Sequence, residues 1–400
     1  MTAISWACAG APAGQPQAPV AVRSNINTRD SSGSLSPEAE DAAAPGGEAA
    51  RENPPSSGPP DGSPHGAART PGPAGSANGP GTRAVPGGLS RGGDSELERA
   101  LSAGDAAYFD GELPRARAEY ERALKLAPQD LAPQLGLLRV ELAGLDVPLD
   151  YAAAPNDARL LGLLKRLDML KARDPGYGPT ELERGRVLLI LGRAAPALQA
   201  LERGVATLPK DPEAHSALGV ALLATGRAAE ALPRFRKAYE LEPANAERAR
   251  ALGTAELLTG NVDRAIAAYS RAVALAPTDA RAHSDLGSAY LAQNAPVQAV
   301  PELQRAVDLD PTRATFRSNL AYAALLVGDN PAAAEQARHA IRLDPKLASA
   351  HLNLGTALAR QGRYDDAERA FRRALELDPS DPRAKTNLEE LQALRRQKPQ

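Results

Sequence analysis

Residues 350–379 read AHLNLGTALARQGRYDDAERAFRRALELDP, and this stretch decides the fold. Leu354, Gly355 and Leu358 fall on one face of a first helix, and Ala367, Phe371 and Ala374 fall on one face of a second. Gly362 sits between them, where a helix ends cheaply in the left-handed conformation that glycine tolerates. Pro379 stops the second helix. Gly355 and Ala367 are small because two helices cross closely there, and Phe371 fills the space beside them. The stretch is therefore a helical hairpin with one apolar face left over, and that face must be covered by a neighbour.

The neighbours are written into the chain at a fixed interval. Small residues recur at Gly219, Gly253, Gly287, Ala321 and Gly355, each 34 positions after the last. Prolines recur by 34 at Pro209, Pro243, Pro277, Pro311, Pro345 and Pro379. Alanines do so at Ala231, Ala265, Ala299, Ala333 and Ala367, and again at Ala238, Ala272, Ala306, Ala340 and Ala374. Four registers sharing one period define a repeat protein.

Period and residue types resemble the tetratricopeptide repeat family, in the form of a bacterial-type protein with many repeats. The resemblance covers residues 95–396 and implies an all-α, right-handed α-solenoid of about eight helical hairpins. The expected organisation is one unit at 95–130, a divergent unit with a loop insertion at 131–177, and six regular units at 178–381. A capping helix follows at 382–396, with Leu388 and Leu391 inward. The divergence is visible in the prolines, since Pro128 to Pro175 is 47 residues and the excess falls around Asp146–Asn156. Ser95 and Glu98 form a capping box at the start of the first helix.

Residues 1–94 have a different composition. They are rich in Ala, Gly, Pro and Ser, hold only Leu35 and Leu89 as leucines, and contain no Phe or Tyr. Too little apolar surface is available to offset the entropy of ordering such a segment, so it is expected to be disordered. Met1–Ala11 contains small residues and Cys8 but lacks the basic and apolar parts of a secretory signal. It resembles the end of a bacterial lipoprotein signal whose true start lies upstream. Cys8 would then be a lipidation site on a periplasmic protein. The alternative is a bacterial cytoplasmic chain in which Cys8 has no such role.

Composition excludes several function classes. The net charge is −2, from 47 basic and 49 acidic residues that are interspersed, so no basic face is expected to neutralise nucleic-acid phosphates. A single cysteine permits neither an internal disulfide framework nor a cysteine-based zinc site. No run of eighteen apolar residues occurs, so no transmembrane segment is expected. His215, His283 and His351 are 68 positions apart, in alternate repeats, too distant to share a metal ion. No phosphate-binding loop, nucleophile elbow or metalloprotease motif is present. The chain is expected not to be an enzyme and to use no cofactor and no metal.

The sequence places its candidate site on an asparagine series. Asn319, Asn353 and Asn387 are spaced by 34, each one residue before the apolar Leu of its first helix. Asn carries a donor and an acceptor, so an equally spaced row can hold the backbone of an extended peptide. The arrangement is similar to the asparagine ladder in the repeat region of O-GlcNAc transferases. Here it covers only the C-terminal units, because the earlier equivalents are Asp285, Ala251 and Ala217. Asp285 and Tyr322 join the candidate peptide-binding set. A cationic clamp for a C-terminal carboxylate, as in chaperone-binding family members, is not supported, since Ser284, Ser288, Ser318 and Tyr322 occupy its positions. The expected function is a protein–protein interaction scaffold that binds a peptide or protein partner on its concave face. Two alternatives stand beside it: a lipid-anchored envelope assembly factor for a secretion, pilus or polysaccharide system, and a docking subunit of a larger enzyme system.

Overall fold

The computed structural model describes residues 87–145, 147 and 151–397. Cys8 and the reading of residues 1–86 as disordered lie outside the described residues. The fold is all-α, with seventeen helices and no strand among the described residues.

Two helices make each repeat. The first hairpin is α1 (Glu96–Phe109) with α2 (Leu113–Leu126), and the second is α3 (Leu131–Ala143) with α4 (Ala158–Arg173). Then follow α5 (Gly178–Ile190) with α6 (Ala194–Thr207), α7 (Pro212–Ala224) with α8 (Ala228–Leu241), and α9 (Ala246–Leu258) with α10 (Val262–Leu275). The last three are α11 (Ala280–Ala292) with α12 (Pro296–Leu309), α13 (Ala314–Val327) with α14 (Asn330–Leu343), and α15 (Ala348–Arg360) with α16 (Tyr364–Leu377). A final helix, α17 (Pro382–Gln397), closes the stack, with Leu391 fully buried and Leu388 partly buried against the Phe371 cluster.

Each hairpin is set by local chemistry. Several first helices begin at an acid or amide whose side chain accepts backbone N–H groups, as Asp130, Asp211, Asn245 and Asp279 do, and Asp157 does the same for the second helix α4. Ser95 caps α1 in the same way, accepting from the Glu98 N–H. The turn into the second helix takes a left-handed residue. That residue is glycine at 192, 226, 260, 328 and 362, and Asn294 takes the conformation in the α11–α12 repeat.

Within the hairpin, a glycine of the first helix faces a large side chain sixteen positions later. A Cβ placed on Gly253 would lie 2.8 Å from the Tyr269 ring, and one on Gly287 would lie 2.6 Å from Leu303 Cγ. Gly104 on Tyr120, Gly185 on Leu201, Gly219 on Phe235 and Gly355 on Phe371 repeat the contact. The α13–α14 repeat replaces it, with Ala321 in the glycine register and Ala337 in the large one, both fully buried.

The divergent second unit has a physical account. The connection between α3 and α4 turns back onto the end of α5, whose last carbonyls have no partner within their own helix. Ala152 N donates to Leu189 O at 2.9 Å and Ala154 N to Ile190 O at 3.2 Å. The insertion thus serves as a cap for the neighbouring repeat.

The packed chain begins earlier than the sequence reading placed it. Ser95 was its expected first residue, yet Leu89 is buried to 3% exposure and joins the cluster of α1, α3 and α5. The reason is a carboxylate on α1. Leu89 N and Ser90 N donate to Asp105 Oδ2 at 2.7 and 2.8 Å, an arrangement that composition does not reveal.

Candidate peptide-binding face

First helices touch first helices of the next repeat, so α5 meets α7, α9 meets α11, α11 meets α13 and α13 meets α15. The asparagine series lies along these junctions. Counting by 34, its register runs Glu183, Ala217, Ala251, Asp285, Asn319, Asn353 and Asn387. Aligning Gly104 with Gly219 adds Ser102 on α1.

Each polar member of this register except Ser102 reaches back to the preceding first helix. Asn353 Nδ2 donates to Ser318 O at 2.9 Å and to Ser318 Oγ at 3.3 Å. Asn319 Nδ2 meets Ser288 Oγ at 3.4 Å, and Asn387 Nδ2 meets Thr356 Oγ1 at 3.2 Å. Asp285 accepts from Arg250 Nη1 at 2.9 Å, and Glu183 accepts from Arg139 Nε at 2.7 Å. The row is therefore a brace between repeats, and the asparagines spend amide donors on it. Asn353 is buried, while Asn319, Asn387 and Asp285 are half-buried. Tyr322 is half-buried one turn beyond Asn319, and burial raises its phenol.

A buried ionic chain, which the sequence reading missed, braces the N-terminal repeats. Arg139 on α3 pairs with Glu183 on α5, which also accepts from Arg186 Nη1 at 3.1 Å. Arg186 faces Glu213 on α7 at 3.5 Å, and Glu213 accepts from Arg248 Nη2 on α9 at 3.0 Å. Arg248 also donates to Ser216 Oγ at 2.9 Å. Farther on, Glu247 and Asp285 hold Arg250. Burial alone would lower the Arg186 guanidinium, and Glu183 with Glu213 more than reverse this, so it stays charged. Glu-x-x-Arg spacings mark two of these pairs, Glu183–Arg186 and Glu247–Arg250, but the same spacing at Glu96–Arg99 and Glu181–Arg184 keeps it from singling them out in the sequence. Where the row holds alanine, a shallow cleft lined by Ser216, Val220, Ala251 and Thr254 opens between α7 and α9.

The three repeat-register histidines are tied to their own turns. His215, His283 and His351 each place Nε2 3.0–3.2 Å from the carbonyl of the proline six positions earlier. They fasten the connection between one repeat and the next. Among the described residues, no helix is long and apolar enough to cross a membrane.

Residues 182–246, 250–314 and 318–382 each match the family described as Tetratricopeptide repeat. The chain belongs to this family. No curated protein matches the sequence. Among solved structures, this tetratricopeptide repeat chain is similar to one in the APC/C hetero-tetramer Cut9–Hcn1. The TM-score there is 0.56 and the identity 17%, covering 74% of this chain and 55% of that one. It thus spans little more than half the length of that relative, and the likeness is one of fold. Shorter tetratricopeptide repeat structures overlap part of it. YrrB, described as a repeat protein with an unusual peptide-binding site, gives TM-score 0.40 and 20% identity, covering 48% of this chain and 99% of its own. TTC0263, a thermophilic repeat protein of Thermus thermophilus, gives TM-score 0.39 and 24% identity, covering 46% of this chain and 99% of its own.

Proposed function

We propose that the chain is an interaction scaffold whose first-helix face holds the backbone of an extended peptide or protein segment, with Asn319, Asn353 and Asn387 as its contacts. One observation carries this reading. The three asparagines stand in equivalent positions of successive repeats, and each donates its Nδ2 to the preceding repeat. Asn319 and Asn387 reach hydroxyls 31 positions earlier, and Asn353 reaches Ser318, 35 positions earlier. In each the brace engages the donor side of the amide, and the carbonyl oxygens are the groups that would accept N–H groups from a ligand backbone. Asp285 extends the row by one repeat and Tyr322 lies beside it. Family membership supports the same reading at the level of fold, since tetratricopeptide repeats are generally non-catalytic scaffolds.

The test is capture of partners by the full chain, followed by the triple variant Asn319→Ala, Asn353→Ala, Asn387→Ala. Three backbone hydrogen bonds at about 0.5–1.5 kcal/mol each predict a loss of roughly 10–1000-fold in affinity. A partner peptide should tolerate side-chain changes better than N-methylation of its backbone. Unchanged affinity in a triple variant of native helicity would reduce the row to its bracing role.

A further inference from the structure

The other end of the same face already holds a peptide. Residues 87–91 form a strap that lies along the face of α1 carrying Glu98 and Asp105 and runs opposite to it. Its contacts step through Phe109 at Gly87, Asp105 at Leu89 and Ser90, and Glu98 at Ser90 and Arg91. Asp105 and Glu98 flank Ser102, which stands in the register of the asparagine row, so this segment lies on the row's face of its helix.

Most of the strap's contacts read its backbone. Leu89 N and Ser90 N donate to Asp105 Oδ2, and Arg91 N donates to Glu98 Oε2 at 2.7 Å. Gly87 O accepts from Arg139 Nη1 at 2.8 Å. The side chains add one apolar anchor, the buried Leu89, together with Ser90 Oγ on Glu98 at 2.9 Å and Arg91 on Asp130 at 2.6 Å. Carboxylates on N–H groups and a guanidinium on a carbonyl, with one pocketed side chain, form a site for a short segment whose backbone bends at the leucine, since two successive N–H groups converge on one carboxylate oxygen. The strap reaches α1 through Gly92 and Gly93, at φ +83° and +124°, a reversal that only glycine makes without strain.

We infer that this face of α1, with Arg139 of α3, is a second peptide site, that residues 87–91 are its resident intramolecular ligand, and that their withdrawal admits a partner segment of the same pattern: small residues, then a leucine with free backbone N–H groups on it and on the residue after it. The site shares no residue with Asn319, Asn353 and Asn387, so failure of either reading leaves the other standing. A tethered ligand of this kind acts at an effective concentration of about millimolar, which masks the site from dilute partners.

The test uses the full chain and a fluorescein-labelled peptide of residues 85–93, VPGGLSRGG, read by fluorescence anisotropy. Leu89→Asp places a carboxylate beside Asp105 and expels the strap. Gly92→Val with Gly93→Val expels it by backbone strain and leaves the site untouched. Both are expected to bind the peptide at least tenfold more tightly than the native chain does, and a scrambled peptide should not bind. Adding Asp105→Asn to the glycine variant should abolish the gain. Released variants of native helicity that bind the peptide no better than the native chain would overturn the inference. Should Leu89→Asp unfold, the glycine variant decides. Loss of helicity in both would also overturn it, because the strap would then be core and not ligand.

Discussion

Glycine has opposite consequences at different places in these helices, and the difference is one of neighbours. Gly253 lies under the Tyr269 ring, where an added Cβ would come within 2.8 Å of ring carbons. Gly162 is exposed in the middle of α4, with nothing within 4 Å of where a Cβ would stand. Gly162→Ala should therefore stabilise the chain by about 0.5–1 kcal/mol, through lower backbone entropy in the unfolded state. Gly287→Leu should cost about 2–4 kcal/mol, because Leu303 and the Ala299 carbonyl already fill the space. Urea melts of the two variants beside the native chain check both signs. Asn353 is a third case. Its amide is buried and joined to the Ser318 carbonyl, so Asn353→Ala should cost about 0.5–1.5 kcal/mol even with no ligand present.

Helix starts in this protein are held by charge as well as by pattern. Asp157 caps α4 by accepting from the Arg159 and Leu160 N–H groups, and Arg159 also folds its guanidinium onto the same carboxylate. The Arg159 hydrogen bond is the largest influence and lowers the Asp157 carboxyl to about 2. A carboxyl lowered in the folded state contributes stability above its unfolded value, and that contribution is lost as pH falls through the folded one. Carboxyl NMR titration should place the Asp157 midpoint near 2, with the α4 cap retained at pH 4. A midpoint in the ordinary aspartate range would mean that Arg159 is not seated there. The insertion before α4 is held by the same kind of pairing at a helix end. A loop that breaks the 34-residue count is tolerated because its N–H groups find the open carbonyls at the end of α5.

Across the whole molecule, apolar burial is uneven. One cluster runs without interruption from Leu89 through α1–α8 to Ala255 on α9. Beyond it, burial divides into separate clusters around Tyr269, Leu303, Ala334 and Phe371, the Ala334 cluster built largely from alanine. In a linear array each repeat is held only by its neighbours, so a weakly joined end opens on its own. Hydrogen exchange should show α13–α17 exchanging faster than α5–α7, and uniform protection would contradict this division. The strap belongs at the low end of the same scale. It is a short segment at the N-terminal end of the packed chain with one buried leucine, so the Leu89 and Ser90 amides should exchange well before those of α5.

The sequence by itself determined the repeat. The 34-residue period, the glycine facing a large residue sixteen positions on, the turn glycines and the proline stops are all contacts within one hairpin, so they recur at fixed offsets in the chain. The histidine spacing was visible in the same way and spoke against a shared metal, but the bond of each ring to a proline carbonyl six residues away came from the structure. What only the tertiary structure decided is what happens between hairpins. Asn353 meets Ser318 across 35 positions, Arg139 meets Glu183 across 44, and Gly87 meets Arg139 across 52. No local period encodes these pairs, because each depends on how successive first helices stack and on which inner positions carry charge. The asparagine row was visible as a spacing, but its bracing role was not, since one residue cannot show which neighbour its amide will reach. The strap was hidden most completely. Its composition is that of a chain without a core, and it is ordered by two carboxylates and an arginine that lie on α1 and α3.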